Sequence, residues 1–445
     1  MKFRKIPFKS PVNVFFKILE NCNHAFLLES IGEQMDSAGF SFIGFDPKTI
    51  VNIKNSMARV GDERLKVEDP LSVMKEILKP NNHLQSSYRF IGGAVGYISY
   101  DVVRYWEKIP NISLDNLNFP DIEMGIYDDG LIFDHLRNEA FYFYRDENRY
   151  DEAIKYCQKS SASVSKISFS TPKINIDREN YDKMIERAKE YIFSGDIFQV
   201  VLSKRYTFSV DGGLEAFYLN LRAINPSPYM YFLKMDDRFI VGSSPETLVK
   251  VENGVIEVCP IAGTRPVTGD PEKDLVLESE LLNDPKEIAE HIMLVDLARN
   301  DVGKVSKFGS VSVSEFMKIY KYSHVQHIVS KVTGKLRDEY DCFDVFRAVF
   351  PAGTVSGAPK VRAMEIIEEL ERFRRGPYAG AVGYFSYNGS MDFAITIRTL
   401  FAKDNKFHVQ VGSGIVADST PEREWFETEF KAKALFKALE LAGGD

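Results

Sequence analysis

The stretch GAVGYISY, residues 93–100, recurs 287 residues later as GAVGYFSY, residues 380–387, with seven of the eight positions identical. Glycine inside an apolar run is typical of a buried strand that another backbone approaches closely. The match therefore indicates equivalent strands in two related halves of a sheet, although two glycine-containing buried strands can also share a short string by chance. The sequence leaves both interpretations open.

Short apolar runs surround the first copy, among them AFLLES, FSFIGF and EAFYFYR, and turn-forming Gly, Pro, Asn and Asp residues separate them. Such spacing predicts an antiparallel sheet with few helices. A serine-rich stretch that ends in proline follows, and after it helical patterns alternate with strands such as YMYFLKM. We therefore predict an α+β fold with an N-terminal region at 1–157, a linker at 158–172 and a catalytic domain at 173–445.

Composition excludes several classes of protein. The 445 residues are 44% hydrophobic and carry a net charge of −8, which allows a large core and disfavours a broad nucleic-acid-binding surface. The four cysteines lie far apart without a CxxC pair, so neither a zinc site nor a disulfide framework is indicated. Because no apolar run approaches the ~18 residues of a membrane helix and no leader pattern is visible, we expect a cytoplasmic protein.

Two helical patterns each present a pair of carboxylates. In KEIAEHIMLVD, Glu287 and Glu290 are three residues apart and share a helix face. In PEREWFETEFK, Glu424 and Glu427 do the same, with Lys431 one turn further on. An isolated pair is typical of a solvated acidic face. Two pairs together predict an oxygen-rich site that suits Mg²⁺, and the absence of clustered Cys or His argues against zinc.

Two glycine-rich loops do not fit nucleotide-binding patterns. GTVSGAPK, residues 353–360, lacks the Gly-Lys-Ser/Thr ending of a phosphate-binding loop. GSGIVADS, residues 412–419, has no continuation of a dinucleotide fingerprint. Neither ATP nor NAD is indicated, and we interpret these glycines as positions where backbone N–H groups approach a small carboxylate.

Taken in order, PIAGTRP, EIAEHIMLVDLARND, GTVSGAPKVRAMEII, GAVGYFSY, TIRT and GSGIVADSTPEREWFET resemble the chorismate-utilising enzymes. This family includes anthranilate, aminodeoxychorismate, isochorismate and salicylate synthases. FLLES and FSFIG resemble its N-terminal region, so the resemblance covers essentially the whole chain. It implies a large antiparallel β-sandwich with helices on the outside and intertwined subdomains.

The resemblance also implies a set of site residues. It assigns Mg²⁺ to the two carboxylate pairs that the helical patterns indicate, and the metal is expected to hold the ring carboxylate of chorismate. The matching metal ligands are Glu287, Glu290, Glu424 and Glu427. The matching substrate-binding residues are Gly263, Thr264, Tyr378, Arg398, Gly412, Ser413, Gly414 and Lys431.

Three residues match catalytic positions of the family. Glu246, in SSPE, matches the general acid that protonates the departing ring hydroxyl, a task that needs a carboxyl kept protonated by its surroundings. His324, in YSHVQH, matches a histidine beside the reacting ring, and Thr354, in GTVSG, belongs to the same set.

Two positions discriminate among the activities in the family. Gln199 matches a position at which the isochorismate and salicylate synthases, which add water, resemble one another and carry a lysine. Ala262 lies where many aminodeoxychorismate synthases carry a nucleophilic lysine, and alanine cannot be a nucleophile. Both departures favour an anthranilate synthase large subunit, which forms anthranilate and pyruvate from chorismate and ammonia. Aminodeoxychorismate synthase is the alternative, and a catalytically inactive tryptophan-binding protein is a more distant one.

The resemblance implies a partner and an effector. We expect a separate glutamine amidotransferase subunit to supply ammonia, in a hetero-oligomer such as a heterotetramer, and tryptophan to act as a feedback inhibitor. Because Tyr378 and Val382 are expected on one strand, the effector could bias the catalytic side. The residues that match the family's tryptophan site are Leu28, Glu29, Ser30, Asn225, Pro228, Tyr229, Met230, Val382 and Tyr384.

Overall fold

Two large antiparallel sheets form the centre of the protein. The computed structural model describes residues 1–31, 39–81, 84, 86–158, 164–322 and 325–444. The strands of the first part of the chain are β1 (Lys2–Ile6), β2 (His24–Glu29), β3 (Phe40–Phe45), β4 (Thr49–Lys54), β5 (Met57–Val60), β6 (Glu63–Lys66), β7 (Gly93–Ile98), β8 (Ile122–Tyr127), β9 (Asp129–Asp134) and β10 (Glu139–Tyr144).

The later strands are β11 (Ser168–Phe169), β12 (Lys173–Ile174), β13 (Gln199–Phe208), β14 (Val210–Asp211), β15 (Tyr229–Met235), β16 (Arg238–Ser244), β17 (Thr247–Glu252), β18 (Val255–Val258), β19 (Ile261–Pro266), β20 (Ser312–Lys321), β21 (Val325–Lys335), β22 (Gly357–Ala358), β23 (Ala381–Ser386), β24 (Met391–Ile395), β25 (Thr399–Lys403) and β26 (Lys406–Ile415).

The helices cover the outer faces of the sheets. They are α1 (Pro11–Leu19), α2 (Pro70–Leu78), α3 (Tyr150–Gln158), α4 (Arg178–Phe193), α5 (Glu215–Ile224), α6 (Pro271–Asn283), α7 (Pro285–Gly303), α8 (Cys342–Val349), α9 (Lys360–Leu370) and α10 (Pro421–Gly443). None of these helices, in the part of the chain that the structure describes, is long and apolar enough to cross a membrane.

Each sheet contains strands from both ends of the chain, with the N-terminal strands in one half and the C-terminal strands in the other. The first sheet has the order β1-β10-β9-β3-β2-β15-β16-β25-β26-β13-β12, with β22 on β13. The second has the order β19-β21-β18-β17-β24-β23-β7-β8-β4-β5-β6, with β20 on β21. The predicted α+β class is confirmed. The predicted linker at 158–172 joins two regions that share both sheets, so the core is continuous across it.

The repeated octapeptide forms the middle of the second sheet. Strands β7 and β23 pair antiparallel, with Gly96 opposite Gly383, so each copy of the repeat faces the other. Outward from this pair the strands follow matching orders, β8, β4, β5 on one side and β24, β17, β18 on the other. In the first sheet β2 and β15 are the central pair, flanked by β3, β9, β10 and by β16, β25, β26. This order supports equivalent strands in two related halves over a chance match.

The side chains of alternate strand residues build two cores. On β2, Phe26 points into an inner core between the two sheets. Its neighbours Ala25 and Leu27 point the other way, into an outer core between the first sheet and its helices. That outer core takes the buried faces of α1, α3, α5 and α10. The inner core takes residues of α2, α7 and α8. The sheets thus form the two middle layers, and helices close both sides.

Replacing Gly96 by Ala is expected to destabilise the fold by about 1–3 kcal/mol, the usual cost of overpacking. A Cβ at Gly96 would meet the carbonyl oxygen of Glu123 at 2.1 Å, which is backbone and cannot rotate away. Chemical unfolding monitored by circular dichroism measures the effect. Gly303→Ala is the control, because a Cβ there meets nothing within 4 Å, and its unfolding free energy should change by less than about 0.5 kcal/mol. Equal stability of the two variants would contradict the argument.

Candidate active site

A cavity of about 700 Å³ opens where β13, β19, β26, α7 and α10 meet. We call it the front cavity. Because both helices that carry the carboxylates and three strands reach it, residues separated by more than 200 positions share one wall. The predicted site residues that line it are Glu246, Gly263, Thr264, Glu287, Glu290, Thr354, Tyr378, Arg398, Gly412, Gly414, Glu424, Glu427 and Lys431.

One pair of acidic groups lies on α7. Gln199 Nε2 donates a hydrogen bond of 2.8 Å to Glu290 Oε1, and Arg265 Nη1 lies 3.3 Å from Glu287 Oε1. Burial raises the pKa of Glu290. The hydrogen bond from Gln199 lowers this pKa, and the negative charges of Glu287 and Glu427 raise it further. The first turn of α7 is fixed by Asp284, whose side chain caps the helix and so sets the direction in which its carboxylates point.

The second pair lies on α10. Burial and the negative charge of Glu427 raise the pKa of Glu424, which is only 3% exposed. Glu424 Oε2 is buried and has no hydrogen-bond partner in the described part of the chain. Glu427 is different, because the ammonium of Lys431, 2.7 Å away, outweighs the effect of burial and lowers its pKa.

The donor set at this end of the cavity fits Mg²⁺. It consists of carboxylate oxygens, which Mg²⁺ prefers, and one of them is a buried oxygen without a partner. The negative charges that raise the pKa values of Glu290 and Glu424 are also what a bound cation relieves. As they stand, the described His, Cys, Asp and Glu side chains include no group of three close enough to hold an ion.

The other end of the cavity is cationic. Lys431 Nζ donates a hydrogen bond of 2.9 Å to the carbonyl of Gly412, and Arg398 is buried in the cavity wall, which lowers its pKa. Arg398 has φ +51°, a conformation that costs a non-glycine residue about 1–3 kcal/mol. Gly412 has no room for a side chain, because a Cβ would meet the Tyr378 hydroxyl at 2.6 Å. Planar Arg398 and Lys431 can bind a carboxylate between them.

Glu246 lies between the two ends, directly after β16. It is 7% exposed, and burial raises its pKa to about 7, although Thr354, Arg398 and Lys431 favour the charged form. A carboxyl with that pKa is protonated in about half of the molecules at neutral pH and can readily release its proton. This is the property that a general acid needs.

His327 is a site residue that the sequence analysis missed. Its Nδ1 lies 2.8 Å from the carbonyl of Gly263, so Nδ1 carries the proton, and burial lowers the pKa of the ring to about 4. His324, which the sequence analysis selected, lies outside the described residues. His327 lies on β21, in the same string YSHVQH, so the second histidine of that motif is the signal that could have found it.

Ser413 is placed differently from its neighbours. Gly412 and Gly414 face the front cavity, and Ser413, between them on β26, points to the opposite face, where its hydroxyl lies 3.4 Å from the Tyr181 hydroxyl. The Ser413 side chain reaches the site through Glu424 instead, where it favours the charged form of that carboxylate.

A second, smaller pocket lies between the two sheets. Eight of the residues predicted for an effector line it: Leu28, Glu29, Ser30, Pro228, Tyr229, Met230, Val382 and Tyr384. Asn225 lines the front cavity instead, and its amide donates to Ser243. The sequence analysis missed Arg89 and Asp392, which also line the pocket. The pocket has charges of both signs. Glu29 accepts hydrogen bonds from Tyr218 and Arg222, and Asp392 forms an ion pair with Arg89.

Comparison with known proteins identifies the family of this chain. The family model for chorismate binding enzymes matches residues 23–437. Anthranilate synthase component 1 of Methanothermobacter marburgensis is 47% identical over 99% of this chain and 95% of its own length. The corresponding protein of Saccharolobus solfataricus is 45% identical over 97% of both chains. The chain belongs to the chorismate binding enzyme family.

A solved structure places it further within that family. The crystal structure of anthranilate synthase component I from Streptococcus pneumoniae superposes with a TM-score of 0.83 at 37% identity, covering 92% of this chain and 94% of that one. The predicted sandwich is confirmed by this match and by the sheet order.

Proposed function

We propose that this protein is the large subunit of an anthranilate synthase of tryptophan biosynthesis, which converts chorismate and ammonia into anthranilate and pyruvate. The observation that carries the proposal is the front cavity, where carboxylates at one end and cations at the other flank Glu246, whose pKa burial raises to about 7. Chorismate has a carboxylate on its ring, a second on its enolpyruvyl group and a ring hydroxyl that must leave. The three parts of the cavity correspond to these three groups.

The nucleophile follows from two residues of the cavity wall. Gln199 is an amide bonded to Glu290, so it cannot act as the base that water addition needs. Ala262, also in the wall, offers no nucleophile for a covalent route. Ammonia addition without a covalent intermediate is the chemistry left among the activities of the family. These residues support anthranilate synthase over aminodeoxychorismate synthase.

Substrate binding is divided between the two ends. Arg398 and Lys431 hold the enolpyruvyl carboxylate, with the Tyr378 hydroxyl beside Gly412 closing that side. We propose that Glu287, Glu290, Glu424 and Glu427 would hold Mg²⁺, whose charge would neutralise the ring carboxylate of the substrate. In its presence the four carboxylates stay ionised in a buried site.

Proton transfer falls to Glu246 and His327. As ammonia adds to the ring, the C–O bond to the hydroxyl breaks and Glu246 gives its proton to the leaving oxygen, which forms water. His327 is neutral, because its pKa is about 4, and its Nδ1–H is fixed on Gly263. Its Nε2 is therefore free to accept a proton at the ring during pyruvate elimination.

A second component supplies the ammonia. The relatives are named component 1, which supports a partner, and we propose a glutamine amidotransferase subunit that docks tightly enough to channel ammonia in a hetero-oligomer. We also propose that the reaction takes place in the cytoplasm. The four cysteines, Cys22, Cys157, Cys259 and Cys342, are free and buried, as in a reducing compartment.

The test of the proposed function is product analysis. The purified chain is incubated with chorismate, Mg²⁺ and an ammonium salt, and products are separated by chromatography. Anthranilate with an equal amount of pyruvate supports the proposal, and aminodeoxychorismate without pyruvate would make the folate-pathway enzyme the correct interpretation. Tryptophan binding without any product would leave a regulatory protein.

Replacing Ser30 by Ala is expected to raise the tryptophan concentration for half-inhibition at least about tenfold, because one hydrogen bond to a charged ligand is worth about 1.5–3 kcal/mol. Ser30 lines the smaller pocket beside Glu29, and the uninhibited rate should stay unchanged. The measurement is the steady-state rate against tryptophan concentration. Ser279→Ala, an exposed position on α6, is the control. If both variants are inhibited like the unmodified chain, the effector binds elsewhere.

A further inference from the structure

A second cavity lies behind Glu246, on the side away from the substrate. We call it the rear cavity. It measures about 30 Å³ and is lined by Glu246, Thr247, Leu248, Val258, Cys259, Pro260, Leu294, Leu297, Ala298, Asp301, Val349, Ala352, Gly353 and Thr354. Glu246, Thr354 and Leu294 also line the front cavity. The general acid therefore has two faces, one toward the substrate and one toward the rear cavity.

The rear cavity can accommodate water. A cavity needs about 10–15 Å³ to hold one water molecule, provided that polar partners are present. The carboxyl groups of Glu246 and Asp301 and the hydroxyl of Thr354 provide them. The Thr354 hydroxyl lies close enough to Glu246 to lower its pKa, yet among the described residues it makes no hydrogen bond of good geometry. It is therefore available to a bridging water.

Asp301 connects the rear cavity to the surface. It is 4% exposed, and its two oxygens are held by Lys304 at 2.9 Å and by Lys360 at 2.6 Å. The side chain of Lys304 is 54% exposed, so solvent reaches one side of this carboxylate. Lys360 is buried, also bonds to the carbonyl of Val349, and has a pKa lowered by burial, which makes it a better proton donor than an ordinary lysine.

Turnover requires such a connection. Each cycle of the proposed reaction leaves Glu246 as a carboxylate, because its proton departs with the hydroxyl as water. Substrate and product lie on the front side of Glu246 during the cycle, and Arg398 and Lys431 on that side favour the charged form of Glu246. A proton must return before the next cycle.

We propose that water in the rear cavity returns this proton to Glu246, taking it from Asp301, which takes up a proton from solvent on the side of Lys304. The proposal rests on the proposed function, since it supplies the acid of that reaction. In the transfer, an O–H bond of the water breaks as the proton joins the Glu246 carboxylate, and the water regains a proton from Asp301. The proton taken from solvent is balanced by the one that the added ammonia releases when the amine of the product becomes neutral. The apolar walls, among them Leu294, Leu297 and Ala298, keep the water in line between the two carboxyl groups.

The test compares the first turnover with later ones. Asp301→Asn removes the relay group, and Ala298→Leu fills the cavity without removing a charge. Each enzyme is equilibrated at a pH below the pKa of Glu246, so that the acid begins protonated, and is mixed rapidly with chorismate, Mg²⁺ and an ammonium salt. Anthranilate fluorescence is followed with enzyme in excess and with substrate in excess.

We expect both variants to complete the first turnover at a rate within about twofold of that of the unmodified chain. Their steady-state rate should fall at least about tenfold, because a step outside the chemistry then limits turnover. The result is a burst of about one product per active site. Asp296→Asn and Asn300→Leu, exposed positions on the same helix, should show no change. If Asp301→Asn fails to fold, Ala298→Leu carries the test.

Two outcomes would overturn the proposal. One is an equal loss in the first and later turnovers, which indicates a structural defect at Glu246, and the other is an unchanged steady state in both variants. Failure of the proposed function looks different, because the unmodified chain itself would then form no anthranilate.

Discussion

Glu424→Gln should lower anthranilate formation at saturating chorismate by at least about a hundredfold, in keeping with the 10–100-fold losses that follow even indirect damage to metal sites. Glu424 is buried, one of its oxygens has no partner among the described residues, and its pKa is raised by burial and by Glu427. Gln keeps the shape and removes the charge that a cation would neutralise. The loss should therefore appear as weaker Mg²⁺ binding.

Two measurements check this expectation. Titration calorimetry with Mg²⁺ alone should show binding to the unmodified chain and a weakened affinity in Glu424→Gln. The unfolding midpoint should not fall, because the substitution removes repulsion from Glu427. Glu422→Gln is the matched control, since it makes the same change in the same helical turn at an exposed position. Full activity and full Mg²⁺ affinity in Glu424→Gln would contradict the metal assignment.

Glu246→Gln should reduce kcat by about 10²–10⁴-fold, the usual contribution of a general acid, and leave the KM for chorismate within about threefold. The amide fills the same space and cannot give a proton to the departing hydroxyl. Glu280→Gln, exposed on α6, is the control. Normal turnover in Glu246→Gln would mean that another group protonates the leaving oxygen.

The pH profile gives an independent check on the same residue. Because burial raises the pKa of Glu246 to about 7, its active protonated form is present below that pH and is lost as the pH rises through it. With rates normalised to free ammonia, kcat/KM of the unmodified chain should therefore decline above about pH 7. Glu246→Gln has no such group and should lack this decline.

Much of the candidate site could be predicted from the sequence. The carboxylate pairs Glu287–Glu290 and Glu424–Glu427 follow from helical spacing, because residues three apart on a helix share a face whatever the helix packs against. The position of Glu246 came from the resemblance of SSPE to a family motif. His327 shows the limit, since a short string with two histidines does not say where a strand begins, and that start decides which side chains point into a cavity.

The fold class was likewise within reach of local pattern. Turn residues between short apolar runs predict antiparallel strands, and the repeated octapeptide indicated two related halves. The pairing of β7 with β23 joins segments 287 residues apart, and nothing in either segment names its partner. Such pairing depends on which distant strands bury their apolar side chains together in the folded protein.

The sequence by itself determined the chemistry that is available: which side chains are acids, which are cations, and which pairs share a helix face. Only the tertiary structure decided how these groups act. It brought both acidic helices to one cavity, buried Glu246 until its pKa rose to about 7, and placed Asp301 behind it. The physical reason is that a pKa and a proton path depend on desolvation and distance, which are set by packing between distant segments.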